Sequence, residues 1–316
     1  MVGHFRWVDE KALVEKHPRI FHYTNFESFK KILETGAIVA TEFSKTNDAS
    51  EGRALRDVIS QMFHMRGMKE IRNIFAKYNA EFTGSDEEFE RLCRQDAEAC
   101  HDAMISSVPS KPHITCFSYH ADKHHKQNGL LTMWRLYGGR GHGVALGFDT
   151  EAMRILTEEL IVSHAVDVIY MQDVRYGAED KIIKQRISDF KSLPELYLRA
   201  VAAVVSNESD IFLDAGNDLM NFLELTLAAK HEDFEDEREV RVVTMEAVEQ
   251  TAANRTRLNR LGENRLLLPL VPALREVIVG PSPDQTAKAR RVEKQLEIHG
   301  RTDVEIRLTG TPFRQI

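Results

Sequence analysis

The chain has 316 residues, 29% charged and 42% apolar, the proportions of an ordinary soluble globular protein with ample core. Its net charge of -7 argues against a main partnership with duplex nucleic acid, which needs a basic field, and leaves only a local basic groove open. The opening MVGHFRWVDE has charges and no apolar stretch, and no run of 18 apolar residues occurs, so neither a signal peptide nor a membrane span is expected. Three cysteines without zinc spacing (Cys93, Cys100 and Cys116) fit a reducing cytoplasm. Cys93 and Cys100, seven apart on an expected helix, read as one buried stripe.

In chain order, Ile20-Phe21-His22-Tyr23 reads as a short strand. Thr24 with Glu27 three residues on fits a capping box, and Phe26, Phe29, Ile32 and Leu33 form a helical stripe that Gly36 stops. Residues 37–41 return as a strand, followed by the polar loop SKTNDASEG. Residues 51–106 are helical in pattern, with Ser85 or Asp86 capping a second acidic helix. Strand-like segments follow at 113–118 (HITCFS), 143–148 (GVALGF) and 163–170 (SHAVDVIY), with a helix over 151–160 between the last two. The pattern from 179 to about 231 is helical again. EVRVVT at 239–244 alternates and is β-branched, and 266–270 offers another strand. The tail reads as strand EVIVG, a Pro-Ser-Pro turn, a helix over 284–299 and strand DVEIRL. With no repeat or cutting linker, the expectation is one mixed α+β domain over 1–316, with helical insertions at about 51–106 and 178–232.

Four stretches carry candidate chemistry. His22-Tyr23-Thr24 sits at a strand end before a helix whose N-terminus favours an anion; equally, Tyr23 packs and Thr24 caps. Glu237, Glu239 and Arg241 share one side of an extended strand, with carboxylates about 7 Å apart that could divide charge stabilisation and proton acceptance. The plainer alternative is a charged edge strand. The stretch WRLYGGRGHG (134–143) has glycines preceding a strand, so it is neither a P-loop nor a dinucleotide fingerprint, and a flexible connection accounts for it as well. Tyr119 to His125 is rich in histidine but reads as a solvated loop rather than a metal site. Thr46 to Glu51 reads as a helix cap.

Taken in order, HYT, TNDASE, TCFSY, MWRLYGGRGHGVALGFD, VIY, KHEDFEDEREVR and EVIVGP resemble a bacterial family of uncharacterised proteins carrying a numbered domain of unknown function, over roughly residues 20–310. Phe234 stands where that pattern would have tryptophan. More distantly the pattern is similar to the ADP-ribosyltransferase superfamily. His22 with Thr24 matches its first-strand element, and Phe117-Ser118-Tyr119 the middle motif, with Tyr137 as rival. Glu237-Arg238-Glu239 matches the acidic third element. Histidine combined with Glu-x-Glu mixes two subclasses, which leaves the acceptor open.

The resemblance implies a mostly antiparallel split sheet with large helical insertions, and NAD, the substrate, folded in a cleft between half-sheets. It implies catalysis by Glu239, which would stabilise the oxocarbenium-like ribose, and Glu237, which would activate the acceptor. The implied cofactor-binding set is His22, Tyr23, Thr24, Ser118, Tyr119, Trp134, Tyr137 and Arg241, with no metal. Within it, His22 and Thr24 would bond the adenosine ribose or the nicotinamide amide, and Tyr119 or Tyr137 would stack on nicotinamide. The helix opening at Asn25 would lie near the pyrophosphate. The implied activity is transfer of ADP-ribose to a protein or nucleic-acid acceptor, as in a toxin or phage-defence effector. The alternatives are an NAD glycohydrolase and a non-catalytic nucleotide sensor, and, apart from the resemblance, a metal-dependent hydrolase around His120, His124 and His125. The transferase reading takes the side chains of His22 and Glu239 to line the same cleft.

Overall fold

A computed structural model describes residues 8–46, 76, 84, 85, 87, 88, 91, 103–108, 110–177, 180–206, 216–246 and 257–311. Cys93, Cys100 and most of the polar loop after Lys45 lie outside them, as does most of the expected 51–106 insertion. The first elements are α1 (Glu10–Lys16), β1 (Arg19–Thr24), α2 (Phe26–Thr35), β2 (Ile38–Glu42) and β3 (His113–Tyr119). They are followed by α3 (Lys123–Asn128), α4 (Leu131–Leu136), β4 (Val144–Asp149), α5 (Thr150–Val162), β5 (Val166–Asp173) and β6 (Arg175–Tyr176). Next come α6 (Lys181–Asp189), α7 (Leu193–Ser206), α8 (Gly216–Ala228), β7 (Ala229–Lys230) and β8 (Glu239–Glu246). The last are β9 (Arg265–Leu268), β10 (Leu274–Val279), α9 (Gln285–Ile298) and β11 (Glu305–Leu308). No helix among the described residues is long and apolar enough to cross a membrane.

The chain divides into two compact units. One gathers Met1–Trp7, Asn47–Lys111 and Val174–Asp233. Its described part holds α6, α7, α8 and the short parallel pair β6–β7. Ser192 Oγ donates to Asp218 Oδ1 at 2.7 Å, tying the start of α7 to the start of α8. Buried Leu193, Leu196, Tyr197, Phe222 and Leu223 supply the apolar faces of these two helices.

The other unit holds Val8–Thr46, Pro112–Asp173 and Phe234–Ile316, and is built on a nine-stranded sheet. Its order is β11-β10-β4-β1-β3-β2-β9, with β8 also paired to β3 and β5 paired to β8. The β10–β11 pair is parallel and the other pairs are antiparallel, so the sheet is mixed and mostly antiparallel. Strand alternation gives it two apolar faces. Ile20, Phe117, Leu146, Phe148, Val240 and Val242 belong to the larger core. Phe21, Tyr23, Leu130, Met133, Trp134, Ala145 and Ile278 form a second cluster.

The sheet opens along β3. Strand β8 pairs with it from His113 to Ser118, whereas β1 reaches it only at Ser118 and Tyr119, and β2 only at His113 and Ile114. In the gap, Thr115 Oγ1 donates to the Val39 carbonyl, and His22 Nδ1 lies 3.0 Å from the Cys116 carbonyl. Side chains thus satisfy backbone groups that the ladder leaves over.

Local signals fix the element ends, with two differences from expectation. The cap of α2 is Asn25, whose Oδ1 accepts from Ser28 N at 2.8 Å, because Thr24 is still pairing with Val144 in the β1–β4 ladder. Gly36 closes the same helix at φ 66°, as its position suggests. Strand β5 begins at Val166 rather than Ser163, since α5 runs to Val162 and His164 turns the chain at φ 56°. Ser85 and Glu88 form a reciprocal capping box, each accepting from the other's backbone N–H.

The glycine stretch between α4 and β4 is a close-packing device. A Cβ on Gly143 would collide with the Thr24 carbonyl oxygen and lie 2.9 Å from that of Gly138. One on Gly138 would lie 2.6 Å from Trp134 Cε3. Gly143→Ala is therefore expected to cost about 1–3 kcal/mol by forcing backbone apart. Urea unfolding of the variant should show a lowered midpoint at an unchanged slope.

Candidate functional site

Side chains directly opposite one another on paired strands share a sheet face. Phe21 faces Ser118, which faces Glu239. One register step along, Cys116 faces Arg241, which faces Gln172. Tyr23, two residues beyond Phe21, belongs to the same side. His22, Thr24 and Tyr119 alternate onto the opposite side, with Phe117 and Val240. The His22 ring meets Phe117 edge-on at 5.7 Å, and the Tyr119 ring stacks on His17 at 4.1 Å.

The structure therefore splits the expected set. Tyr23, Ser118, Glu239 and Arg241 come together, and Trp134 joins them by packing edge-on against Tyr23 at 4.8 Å. His22, Thr24 and Tyr119 do not, because a period of two sends neighbours in sequence to opposite faces. The expected meeting of His22 and Glu239 does not occur.

The expected strand pattern of Glu237, Glu239 and Arg241 holds for two of the three. Glu237 ends a 3-10 turn (Glu232–Glu237), and Arg238 at φ 47° separates it from the strand. Glu237 is nevertheless buried and accepts from the Tyr137 hydroxyl at 3.3 Å. Nor is β8 an edge strand, since β3 and β5 flank it. Within it Arg241 Nε donates to Glu239 Oε1 at 2.6 Å, and Nη2 lies 3.4 Å from Oε2. The pair is sealed, with Arg241 0% and Glu239 2% exposed. Ser118, also 0% exposed, has no partner for its Oγ among the described residues, and neither do the two amide atoms of buried Gln172.

Sequence reading missed His120, placed in a solvated loop but 5% exposed. Its ring stacks on Phe21 at 3.7 Å and 9°, and its Nε2 lies 2.9 Å from the Tyr23 hydroxyl. That hydroxyl also accepts from Leu130 N at 2.7 Å. The clue was the alternation of Cys116, Ser118 and His120, which continues one step past the strand. Burial foremost, then the charges of His125, Arg307 and Arg238, push His120 down to about 3 against the opposing pull of Asp122. A neutral His120 accepts the Tyr23 proton at Nε2, and its Nδ1 has no partner among the described residues.

The neighbouring histidines are engaged separately. His124 Nδ1 is 3.2 Å from Asn128 Nδ2, and His125 bonds Asp122. Among the described residues no three His, Cys, Asp or Glu side chains group as a metal site. On the opposite face, His17 Nε2 lies 3.0 Å from Asp173 Oδ1 and Lys16 Nζ donates to Asp173 Oδ2 at 2.6 Å. Burial raises the Asp173 carboxyl, but these two partners outweigh it and hold it at about 2.

A family model described as "Protein of unknown function (DUF2971)" matches residues 133–242. That segment holds Trp134, Tyr137, Glu237, Glu239 and Arg241, whereas His22 to Thr24, Ser118 and Tyr119 lie outside it. No curated protein and no solved structure matches the chain.

The buried histidine predicts an acid-side stability slope. An unfolded His120 takes up a proton near 6.5 and the folded one only near 3, so stability is lost as pH falls through that interval. His22, lowered by burial, acts in the same direction. Unfolding free energies from urea titrations between pH 7 and 4.5, above the range where Asp173 titrates, should fall by up to about 1.4 kcal/mol per pH unit on account of His120, with His22 adding to the fall. His120→Gln should reduce the slope.

Proposed function

We propose that the sheet face carrying Ser118, Glu239 and Arg241 binds NAD and transfers its ADP-ribose to a protein or nucleic-acid acceptor, at a site that does without His22 and so departs from the cleft between His22 and Glu239 that the transferase resemblance implied. The single observation that carries this reading is the register of Ser118 opposite Glu239. An unpartnered hydroxyl and a carboxylate there share one face, beside a guanidinium that fixes the carboxylate's position. Loss of nicotinamide leaves positive charge on the ribose, and a preorganised carboxylate in a water-poor site is the group that stabilises it. In this reading Glu239 faces that charge, Ser118 donates to a ribose hydroxyl, and Glu237, oriented by Tyr137, accepts the acceptor's proton. Tyr23 and Trp134 flank the site on the same face. His22, on the other side, is assigned to sealing the gap between β1 and β2.

A second reading is favoured by the tightness of the Glu239–Arg241 pair. A carboxylate with both oxygens turned to one guanidinium suits a protein that binds the nucleotide and senses it without turnover.

Incubation with radiolabelled NAD separates the two. Transfer or hydrolysis predicts nicotinamide release that Glu239→Gln lowers by about 10²–10³-fold, the scale of losing one charge-stabilising group. Sensing predicts a melting temperature raised by NAD with no release. Absence of release, label transfer and thermal shift together rejects both readings. His22→Ala provides the geometric control. Removing its bond to the Cys116 carbonyl should cost about 1 kcal/mol of stability and leave any nicotinamide release within about twofold. A loss of release comparable to that of Glu239→Gln would return His22 to the site.

A further inference from the structure

The face shared by Ser118 and Glu239 also holds a directed hydrogen-bond chain that ends on an open N–H. Leu130 N donates to the Tyr23 hydroxyl at 2.7 Å, so that hydroxyl turns its own proton to His120 Nε2, 2.9 Å away. Burial raises the Tyr23 phenol and so keeps it protonated, and burial likewise holds His120 neutral. A neutral imidazole that accepts at Nε2 carries its proton at Nδ1. His120 Nδ1 is therefore a fixed donor, in a side chain 5% exposed, with no partner among the described residues. Leaving a buried donor over in this way is costly, and the bonds ahead of it in the chain polarise it further.

Ser118 is the second open group. Its side chain is fully buried, and its Oγ has no partner among the described residues. Two residues of extended chain, about 7 Å, separate it from His120. Phe21 ties the two together: it faces Ser118 across the β1–β3 pair, and the His120 ring stacks on its ring at 3.7 Å. Glu239, directly opposite Ser118 on β8, presents a carboxylate that accepts and does not donate. Cys116, two residues before Ser118 on the same side, is exposed and marks where this face meets solvent.

From this arrangement we infer that Ser118, His120 and Glu239 form a binding site for two neighbouring hydroxyl groups of a sugar ring, with His120 Nδ1 as a donor to one of them. A fixed donor, a hydroxyl that does both and a carboxylate that accepts call for a ligand whose adjacent atoms both donate and accept, as vicinal hydroxyls do. A phosphoryl or carboxylate group does not suit it, because Glu239 repels an anion and the Arg241 guanidinium is already engaged with Glu239. The site rests on the NAD reading for its choice of face, and adds to that reading a residue that holds the ribose. Tyr23 positions His120 and fixes its tautomer.

The test is nitrogen NMR of the histidine rings in the isotope-labelled full chain, with the His120 signals assigned through His120→Gln. At neutral pH the free protein should show His120 as the Nδ1–H tautomer. NAD and methyl ribofuranoside should each shift His120 Nδ1 in a saturable way. The 2-deoxy analogue of the riboside should bind about fivefold more weakly, the scale of one lost hydrogen bond. His120→Gln should weaken NAD binding by a similar factor; should it fail to fold, the wild-type spectra decide by themselves. A shift of Nδ1 by the riboside without nicotinamide release upholds the sugar site and counts against NAD turnover alone. NAD binding or cleavage that leaves Nδ1 unmoved overturns the sugar site and leaves the NAD reading standing. An Nε2–H tautomer in the free protein overturns it too, as does an Nδ1–H that neither NAD nor riboside moves because a buried water holds it. Equal affinity for the riboside and its 2-deoxy analogue has the same effect.

Discussion

The Tyr23 hydroxyl is the junction on which this side of the sheet depends. A buried phenol requires partners, and leaving one donor or acceptor unsatisfied costs about 1–3 kcal/mol. Here the oxygen accepts the Leu130 N–H and the proton goes to His120, so one side chain of β1 holds both the start of α4 and the chain leaving β3. Close packing follows from that anchorage. A Cβ on Gly129 would sit 2.7 Å from the Tyr23 oxygen and 2.8 Å from Trp134 Nε1, which admits only glycine. Trp134 Nε1 then donates to the Asn128 carbonyl at 2.9 Å, and Thr309 Oγ1 donates to the same carbonyl at 2.6 Å. The position of α4, and with it Tyr137 against Glu237, descends from this junction.

A second constraint is the strict alternation of β1, β3 and β8. It makes the His-Tyr-Thr triplet serve two faces. Tyr23 builds the side shared by Ser118 and Glu239, whereas His22 closes the opening between β1 and β2 from the other. A histidine donating Nδ1–H to a strand carbonyl replaces a ladder bond that splayed strands cannot make. The opening of the sheet and the presence of His22 are thus one feature.

The Glu239–Arg241 pair is costly to bury and costly to break. Removing one partner from such a pair leaves an uncompensated charge, worth about 3–5 kcal/mol. What the pair secures is geometry: β8 lies between β3 and β5 with its polar side chains in a fixed row beside Ser118, Cys116 and Gln172. That row is where the proposed chemistry lives.

Much of this was written in local sequence. The strand runs HITCFS, GVALGF, EVRVVT and EVIVG appear within a few residues of where they were expected, because period-two alternation and β-branched residues act over short distances. Gly36 ends its helix for the same kind of local reason. The mostly antiparallel mixed sheet was also expected, from the resemblance of ordered motifs. Which residues meet was a different matter. Asn25 rather than Thr24 caps α2 because a ladder with β4 had already claimed Thr24. His120 is buried and Glu237 leaves the strand, because those outcomes depend on Phe21, Tyr23 and Tyr137, up to 100 positions away. The composition and the alternating runs determined by themselves that a two-faced sheet would form. Only the pairing register, set by long-range packing, decided that Tyr23 and not His22 would share a face with Glu239.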